Sequence, residues 1–338
     1  HSAMSVCCGT AATGARTFTA TASQGLALMH EILFMASNMR LPMVMVVANR
    51  ALSAPINIWN DHSDVMTERD VGWVQIFAEN GQEAADLVVQ SFKIAEDKRV
   101  ALPVMVHFDG FILSHMIEPI DMFTRDQVMD FLPTFDPIHR LDIDKPVSMG
   151  TFGMPPVYTE AKMASEAVLR ESYGPVVEVF KEFGDKFGRN YNPVESYKAE
   201  DADVLFVTMG GVSETTMTWI DKQREQGEKV GVVRFRLWRP LPIDDFKNAI
   251  KGAKALAVID RHFSPGGVGG PVAEEIKNFL YNDKNRMPVC EFVAGLGGRD
   301  IVYDDFDKMY QTAKDVIGGA PVPPFELIQA RGGHYGKV

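Results

Sequence analysis

Residues 43–47 (MVMVV) form an unbroken apolar run of strand length, preceded by a helix-patterned segment and Pro42 and followed by a polar loop that opens with Asn49-Arg50. A strand without polar alternation is covered on both faces, as in a parallel sheet with helices on either side. That inference restricts the fold to an α/β layer architecture. Upstream, residues 17–21 alternate β-branched and aromatic residues with small ones, which predicts a short strand. Ser23-Gln24-Gly25 then supplies turn chemistry, with Ser23 a candidate N-cap. Leu26, Met29, Leu33 and Ala36, with Leu28, Ile32 and Met35 alongside, give the next helix a wide apolar face for packing on a sheet. Open α/β sheets bind ligands beyond the carboxyl ends of their strands, so a site is expected at Asn49-Arg50 and in the loop running to Asp64.

The same grammar continues. Residues 74–77 and 103–108 predict strands, and residues 81–97 a helix whose buried stripe is Ala84, Leu87, Val88, Ser91, Ile94 and Ala95. Beyond Glu118, Pro119, Pro133, Pro137, Pro146, Gly150, Gly153, Pro155 and Pro156 mark a boundary, closing a first domain at 1–150. Residues 151–198 read as a helical connector, with Val176, Val179, Phe180, Phe183 and Phe187 on one face. From 199 to 338, strands at 203–209, 230–235, 255–260 and 289–293 alternate with helices at 213–226, 243–251, 272–281 and 303–316. This predicts a second doubly wound, mainly parallel sheet. A chain of 338 residues can give each domain its own core.

Charge and cysteine content narrow the function classes. A formal net charge of -11 argues against nucleic acid or an anionic membrane as partner, and no apolar run is long enough to span a bilayer. Residues 1–15 lack the basic and apolar regions of a signal peptide. Cys7, Cys8 and Cys290 make neither a C-x-x-C pair nor a closed disulfide framework, which predicts a reducing, cytoplasmic location. Cys7-Cys8 reads either as a metal or redox pair or as small buried residues on a helix. An iron-sulfur cluster needs about four cysteines, so any cluster is expected on another chain.

Several residues carry two readings each. Arg50 offers a planar fork matched to a carboxylate, or it caps a strand end at the surface. Asp61-His62-Ser63-Asp64 could ligate a divalent ion, or it is a structural knot that hydrogen-bonds the loop closed beneath the site. Asp109 reads as a catalytic group or as a turn aspartate followed by Gly110, and His115 as a catalytic group or as a part of the domain's structure or an interface. The glycine turns at 209–213 and 264–271 could cradle phosphate, yet neither has dinucleotide or P-loop order, and close backbone packing between domains or subunits is the other reading.

TFTATASQGLALMHE, NRALSAP, NDHSD and HFDGFILSH, followed by RLWRPLP, IDRHFSPGGVGGP and AGLGGRD, appear in this order along nearly the whole chain. Together they resemble the alpha subunit of thiamine-diphosphate-dependent 2-oxoacid:ferredoxin oxidoreductases, most closely those acting on pyruvate. The resemblance implies a pyrimidine-binding domain followed by a domain similar to the transketolase C-terminal domain. It implies that Arg50 holds the substrate carboxylate and that Thr21, Ser23, Gln24 and Gly25 form the turn against the aminopyrimidine, Ser23 and Gln24 reading equally as a helix cap and a surface amide. The family's glutamate that bonds N1′ of the pyrimidine, its first strand and a substrate-binding threonine are expected just before His1.

The chain has no GDG motif for a metal-bound diphosphate. The resemblance therefore places Mg2+ and 4Fe-4S clusters on beta, gamma and delta-type partner subunits, with thiamine diphosphate shared between chains. It implies oxidative decarboxylation of a 2-oxoacid to acyl-CoA and carbon dioxide, with electrons passed to ferredoxin. Pyruvate is the first expectation, and oxalate, 2-oxoisovalerate, 2-oxoglutarate and indolepyruvate share its carboxylate. The competing readings are a non-catalytic scaffold subunit, a nicotinamide or flavin reductase using the glycine turns, and a thiamine enzyme without electron carriers.

Overall fold

The computed structural model describes residues 1–331, so residues 332–338 of the second expected domain lie outside the described residues. In chain order the first part comprises α1 (Ser2–Ala12), β1 (Phe18–Thr21), α2 (Gln24–Ala27), α3 (His30–Asn38), β2 (Val44–Asn49), α4 (Ser63–Thr67), β3 (Val74–Phe77), α5 (Gly81–Glu96) and β4 (Val104–Asp109). The linking region holds α6 (Ile112–His115), α7 (Arg125–Phe131), α8 (Pro155–Glu171) and α9 (Tyr173–Phe187). The second part runs β5 (Val194–Tyr197), β6 (Val204–Met209), α10 (Val212–Glu225), β7 (Val230–Phe235), β8 (Leu237–Arg239) and α11 (Ile243–Ala249). It continues with β9 (Ala255–Asp260), α12 (Pro271–Leu280), β10 (Val289–Val293), α13 (Tyr303–Ile317) and β11 (Glu326–Leu327).

Two sheets result, with strand orders β1-β2-β4-β3-β8 and β11-β10-β9-β6-β7-β5. All pairings are parallel except β3 with β8 and β5 with β7. The apolar run at 43–47 becomes β2, between β1 and β4, as a doubly covered strand must. One face of the first sheet packs Met43, Met45 and Val47 against Met4, Ile32 and Leu33 of α1 and α3. On its other face Ile76, Val104 and Val106 meet Leu87 and Ile94 of α5 and Phe180 and Phe183 of α9. The second sheet alternates likewise: Val204 and Phe206 face Trp219 and Phe306, while Leu205 and Val207 face Phe246 and Ile276. Period-two burial against helices on both faces is the doubly wound arrangement expected from the alternation.

The expected continuous helix over residues 26–36 is instead two helices. The Met29 N–H bonds the Leu26 carbonyl, an i to i−3 contact that tightens and ends α2, and this turns Leu28 outward to 68% exposure. An apolar run without a polar face does not say which of its residues the sheet will take. Two strands also cross the expected boundaries. β5, inside the segment read as connector, pairs with β7, and β8, from RLWRPLP, leaves its neighbours to pair with β3 of the first sheet. Phe77, Val65 and Met66 sit in one core with Val207, Phe235 and Trp238, so apolar contact is continuous between the two sheets.

Candidate active site

β1, β2 and β4 run parallel, so their carboxyl ends open on one edge, where the turn at 22–25, the loop from Arg50 to Asp64 and the turn at Gly110-Phe111 converge. Asp64, fully buried at the start of α4, ties them together. Its Oδ2 accepts the N–H groups of Ser23 and Arg50, each at 3.0 Å, and its Oδ1 accepts the Val65 N–H at 2.8 Å and Asn49 Nδ2 at 3.1 Å. Burial pushes the Asp64 carboxyl up to about 7, against the pull of these four donors.

The expected Ser23 cap is corrected in detail. Ser23 stands before α2, but its hydroxyl makes no cap bond and donates to the Ala51 carbonyl at 2.7 Å. Its backbone is left-handed at φ 50, a conformation that costs a non-glycine residue roughly 1–2 kcal/mol. Gln24 Nε2 donates to Ser53 Oγ at 2.7 Å, so the turn and the Arg50 loop are joined twice. Thr21 and Gly25 lie against each other: a Cβ on Gly25 would meet Thr21 Oγ1 at 2.6 Å.

Arg50 lines a cavity of about 280 Å³ with Ala22, Ala48, Ile58, Gly110, Phe111, Ser114 and His115. Among the described residues its Nε is buried without a hydrogen-bond partner, and its guanidinium enters no ion pair. Gly110 fits because a Cβ there would stand 2.4 Å from the Asn49 carbonyl oxygen. Phe111 is left-handed at φ 64, donates its N–H to Ser114 Oγ at 2.8 Å, and stacks on His115 with ring centres 4.6 Å apart. A larger cavity of about 780 Å³ opens at the amino-terminal ends of β3 and β4, near Gly72 and Leu102. Its wall already pairs Arg239 with Glu275 and Tyr173 with Asp245, and it lies away from the carboxyl ends of the strands, so the smaller cavity is the better candidate.

The segment from Asp61 to Asp64 forms a knot whose side chains diverge. Asp61 Oδ1 accepts from Ser63 N and Oγ at 2.9 and 2.6 Å, Asp61 Oδ2 accepts from Gly297 N at 3.3 Å, and His62 Nε2 lies 3.4 Å from Asp109 Oδ1. No group of three metal-ligating side chains occurs among the described residues. Asp109, read as a catalytic group or a turn aspartate, is buried at the end of β4 and holds other segments. Its Oδ2 accepts from Arg261 at 2.8 Å and Gly211 N at 3.2 Å. Burial pushes its carboxyl up, but the Arg261 charge, His62 and the Gly211 N–H outweigh that and hold it below the usual range.

The glycine turns pack as close backbone approaches. A Cβ on Gly210 or Gly211 would stand 2.9 Å from the Asp109 carboxylate of the other domain. The second turn packs within its own domain, where Gly269 and Gly270 sit against Glu291 and Asp260. Asp260 caps α12 by accepting from the N–H groups of Val272 and Ala273. Cys7 and Cys8 lie on α1, with Cys8 in the core. Sequence reasoning missed Asp64 as the hub, Arg261 as the partner of Asp109, and His107, whose two ring nitrogens are buried without a partner among the described residues. The bare glycines of AGLGGRD offered one usable signal: they follow a strand without opening an α-helix, which marks a close approach.

Residues 1–181 match the family described as pyruvate flavodoxin/ferredoxin oxidoreductase, thiamine diP-bdg, and residues 202–306 match pyruvate:ferredoxin oxidoreductase core domain II. The chain is 46% identical over 318 residues to pyruvate synthase subunit PorA of Pyrococcus furiosus, covering 94% of this chain and 80% of that protein. It is 49% identical over 308 residues to PorA of Methanocaldococcus jannaschii, covering 90% and 78%. With ketoisovalerate oxidoreductase subunit VorA of Pyrococcus abyssi the identity is 40% over 319 residues, covering 94% and 80%. A solved structure of 2-oxoglutarate:ferredoxin oxidoreductase from Magnetococcus marinus shares the fold at a TM-score of 0.61 and 17% identity; the match covers 94% of this chain and 56% of that one. With both domains matched and close relatives aligned along most of their length, the chain belongs to the 2-oxoacid:ferredoxin oxidoreductase family, as an alpha subunit.

Proposed function

We propose that this chain, within a complex of beta, gamma and delta-type subunits, grips the carboxylate of a 2-oxoacid and orients the aminopyrimidine of thiamine diphosphate. Pyruvate is the first substrate, converted with coenzyme A to acetyl-CoA and carbon dioxide while two electrons pass to ferredoxin. One observation carries the reading: Arg50 presents an unpaired, part-buried guanidinium to a small cavity at the carboxyl ends of parallel strands. An arginine fork left without a carboxylate among the described residues fits an anion brought by the substrate.

The cavity also fits part of the cofactor. Ala22, Ala48, Ile58, Gly110 and Phe111 give it apolar walls suited to a flat ring, and the turn of Thr21, Ser23, Gln24 and Gly25 lies beside it. When bound, thiamine diphosphate supplies the carbanion chemistry that releases carbon dioxide. The residues of this chain orient and exclude: Arg50 fixes the carboxylate, Asp64 fixes Arg50 and Ser23 relative to each other, and Ile58 and Phe111 keep water from the acid. The diphosphate and its Mg2+ are assigned to a partner subunit, as are the 4Fe-4S clusters. Exposed apolar residues near the cavity (Ile56 at 84%, Ile58, Trp59) and on either side of the boundary between the first domain and the connector (Ile143 at 98%, Phe152 at 88%) support cover by other subunits. Among the described residues no helix is long and apolar enough to cross a membrane.

The relative named for ketoisovalerate favours 2-oxoisovalerate as a second substrate to test. The experiment assays coenzyme-A-dependent reduction of a low-potential dye by the purified complex against a panel of 2-oxoacids, with Arg50→Ala and Arg50→Lys beside wild type. Losing a charged, bidentate contact costs roughly 3 kcal/mol, so Arg50→Ala should lower kcat/KM about a hundredfold, and Arg50→Lys should recover part of it. Unchanged kcat/KM in Arg50→Ala, or no turnover of any 2-oxoacid by the replete complex, would refute the reading.

A further inference from the structure

The loop that carries Arg50 is held from the second domain. Arg261, 4% exposed just after β9, donates from Nη1 to Asp109 at 2.8 Å and from Nη2 to the Gly295 carbonyl at 3.1 Å, and its own carbonyl accepts the His62 N–H at 3.0 Å. Asp109 in turn lies against His62. The turn after β10 completes the seat. The Gly297 carbonyl accepts from Asn57 Nδ2 at 3.1 Å, and the Gly297 N–H reaches Asp61. A Cβ on Gly298, whose φ is +79, would stand 2.2 Å from Trp59 Cβ. The path to Arg50 is short. The Trp59 carbonyl accepts the Ala51 N–H at 3.1 Å, and the Ala51 carbonyl accepts the Ser23 hydroxyl, so a shift of Trp59 moves the residue next to Arg50 and loosens the turn at Ser23.

We propose that Arg261, with the Gly297-Gly298 turn, is a positioning element for substrate binding: the second domain sets the geometry of Arg50 without touching the substrate. This rests on the reading of Arg50 as the carboxylate group. A guanidinium bonded at once to a buried carboxylate, a carbonyl and, through its own backbone, the loop fixes three segments in one arrangement. A displacement of about 1 Å at a group that orients a reactant is enough to cost on the order of a hundredfold in rate.

The test uses the assembled complex carrying Arg261→Ala, Arg261→Lys, Gly298→Ala or Arg50→Ala. Hydrogen exchange is read at the amides of Ala51, Leu52, His62 and Ser63, and kcat and KM are measured with pyruvate. Arg261→Ala should speed exchange of these amides selectively and lower kcat/KM by on the order of a hundredfold, mainly through KM, with partial restoration in Arg261→Lys. Gly298→Ala removes no charge and should produce the same pattern through Trp59, which keeps the test decisive if Arg261→Ala does not fold. Unchanged loop exchange in both variants overturns the proposal whatever the activity. Faster exchange with unchanged kcat/KM also overturns it, and Arg50→Ala then separates the cases: a raised KM there leaves the Arg50 reading standing, and an unchanged KM removes both.

Discussion

Asp64→Ala is expected to release the site from the fold, and the size of the effect follows from the bonds the carboxylate accepts. Four N–H donors, from Ser23, Asn49, Arg50 and Val65, end on its two oxygens in a fully buried position. A buried donor left without an acceptor costs about 1–3 kcal/mol, so the alanine variant should lose about 4 kcal/mol or more of local stability after relaxation. Asp64→Asn should cost far less. Its remaining oxygen can face Ser23 and Arg50, and its new amide can donate to Asn49 Oδ1, buried without a partner among the described residues, once the Asn49 side chain flips. Among the backbone donors only the Val65 N–H then loses its acceptor, at about 1–2 kcal/mol, and the flipped Asn49 Nδ2 loses the one it had. Because about 1.4 kcal/mol is tenfold, hydrogen exchange at the Ser23 and Arg50 amides should accelerate roughly a thousandfold in Asp64→Ala, while only Val65 should accelerate in Asp64→Asn, by about tenfold. Equal protection of Ser23 and Arg50 in wild type and Asp64→Ala would refute the hub assignment, as would equal acceleration in the two variants.

Two further outcomes follow from buried ionisable groups. Burial, reinforced by the charge of His62, pulls His107 down from 6.5 to about 3. The unfolded chain therefore takes up a proton near 6.5 that the folded chain refuses, and stability falls between about 6.5 and 3 by up to about 5 kcal/mol. His107→Leu should flatten that part of the unfolding profile and leave stability at neutral pH equal or higher; an unchanged acid limb would count against the assignment. Glu83 joins the domains by accepting from Arg234 and Arg236 at 2.8 and 2.6 Å. Burial pushes its carboxyl up, but the two guanidinium groups outweigh this and hold it at about 2 instead of 4.5, so its roughly 3 kcal/mol is present above pH 4.5 and lost on acidification toward 2. Glu83→Gln should lower stability at pH 7 by about that amount in urea unfolding, and a change under 1 kcal/mol would refute the pairing.

What the sequence made legible was periodic or punctuated. The MVMVV run announced a doubly covered strand because burial on both faces leaves no polar alternation, and β6, β7, β9 and β10 follow the same rule. The Asp61-His62 knot was legible because short polar side chains in a loop bond nearby backbone. Asp64 as a hub was not, since its bond to Ser23 spans 41 residues and depends on tertiary placement. Gly297 meets Asn57 across 240 residues, a contact that only the glycine itself hints at. Ser23 and Phe111 adopt left-handed backbone without being glycine or asparagine, so no local signal marks them.

Those two left-handed residues also say how the site is held before any ligand arrives. Each costs roughly 1–2 kcal/mol against an extended or right-handed alternative, and both flank the cavity that Arg50 enters. Both are held by charge or hydroxyl acceptors on their own N–H groups: Ser23 by the Asp64 carboxylate, Phe111 by Ser114 Oγ. A bond from N–H to a buried carboxylate contributes about as much as the strain it opposes, so the strained turn is stable only while Asp64 is in place. Asp64 bonds the Arg50 N–H with the same oxygen, so the turn and the arginine are set by one group. The conformational cost of arranging them is met in folding, and a ligand that finds them arranged loses less entropy on binding. A flexible loop carrying the same arginine would have the charge and lack the alignment.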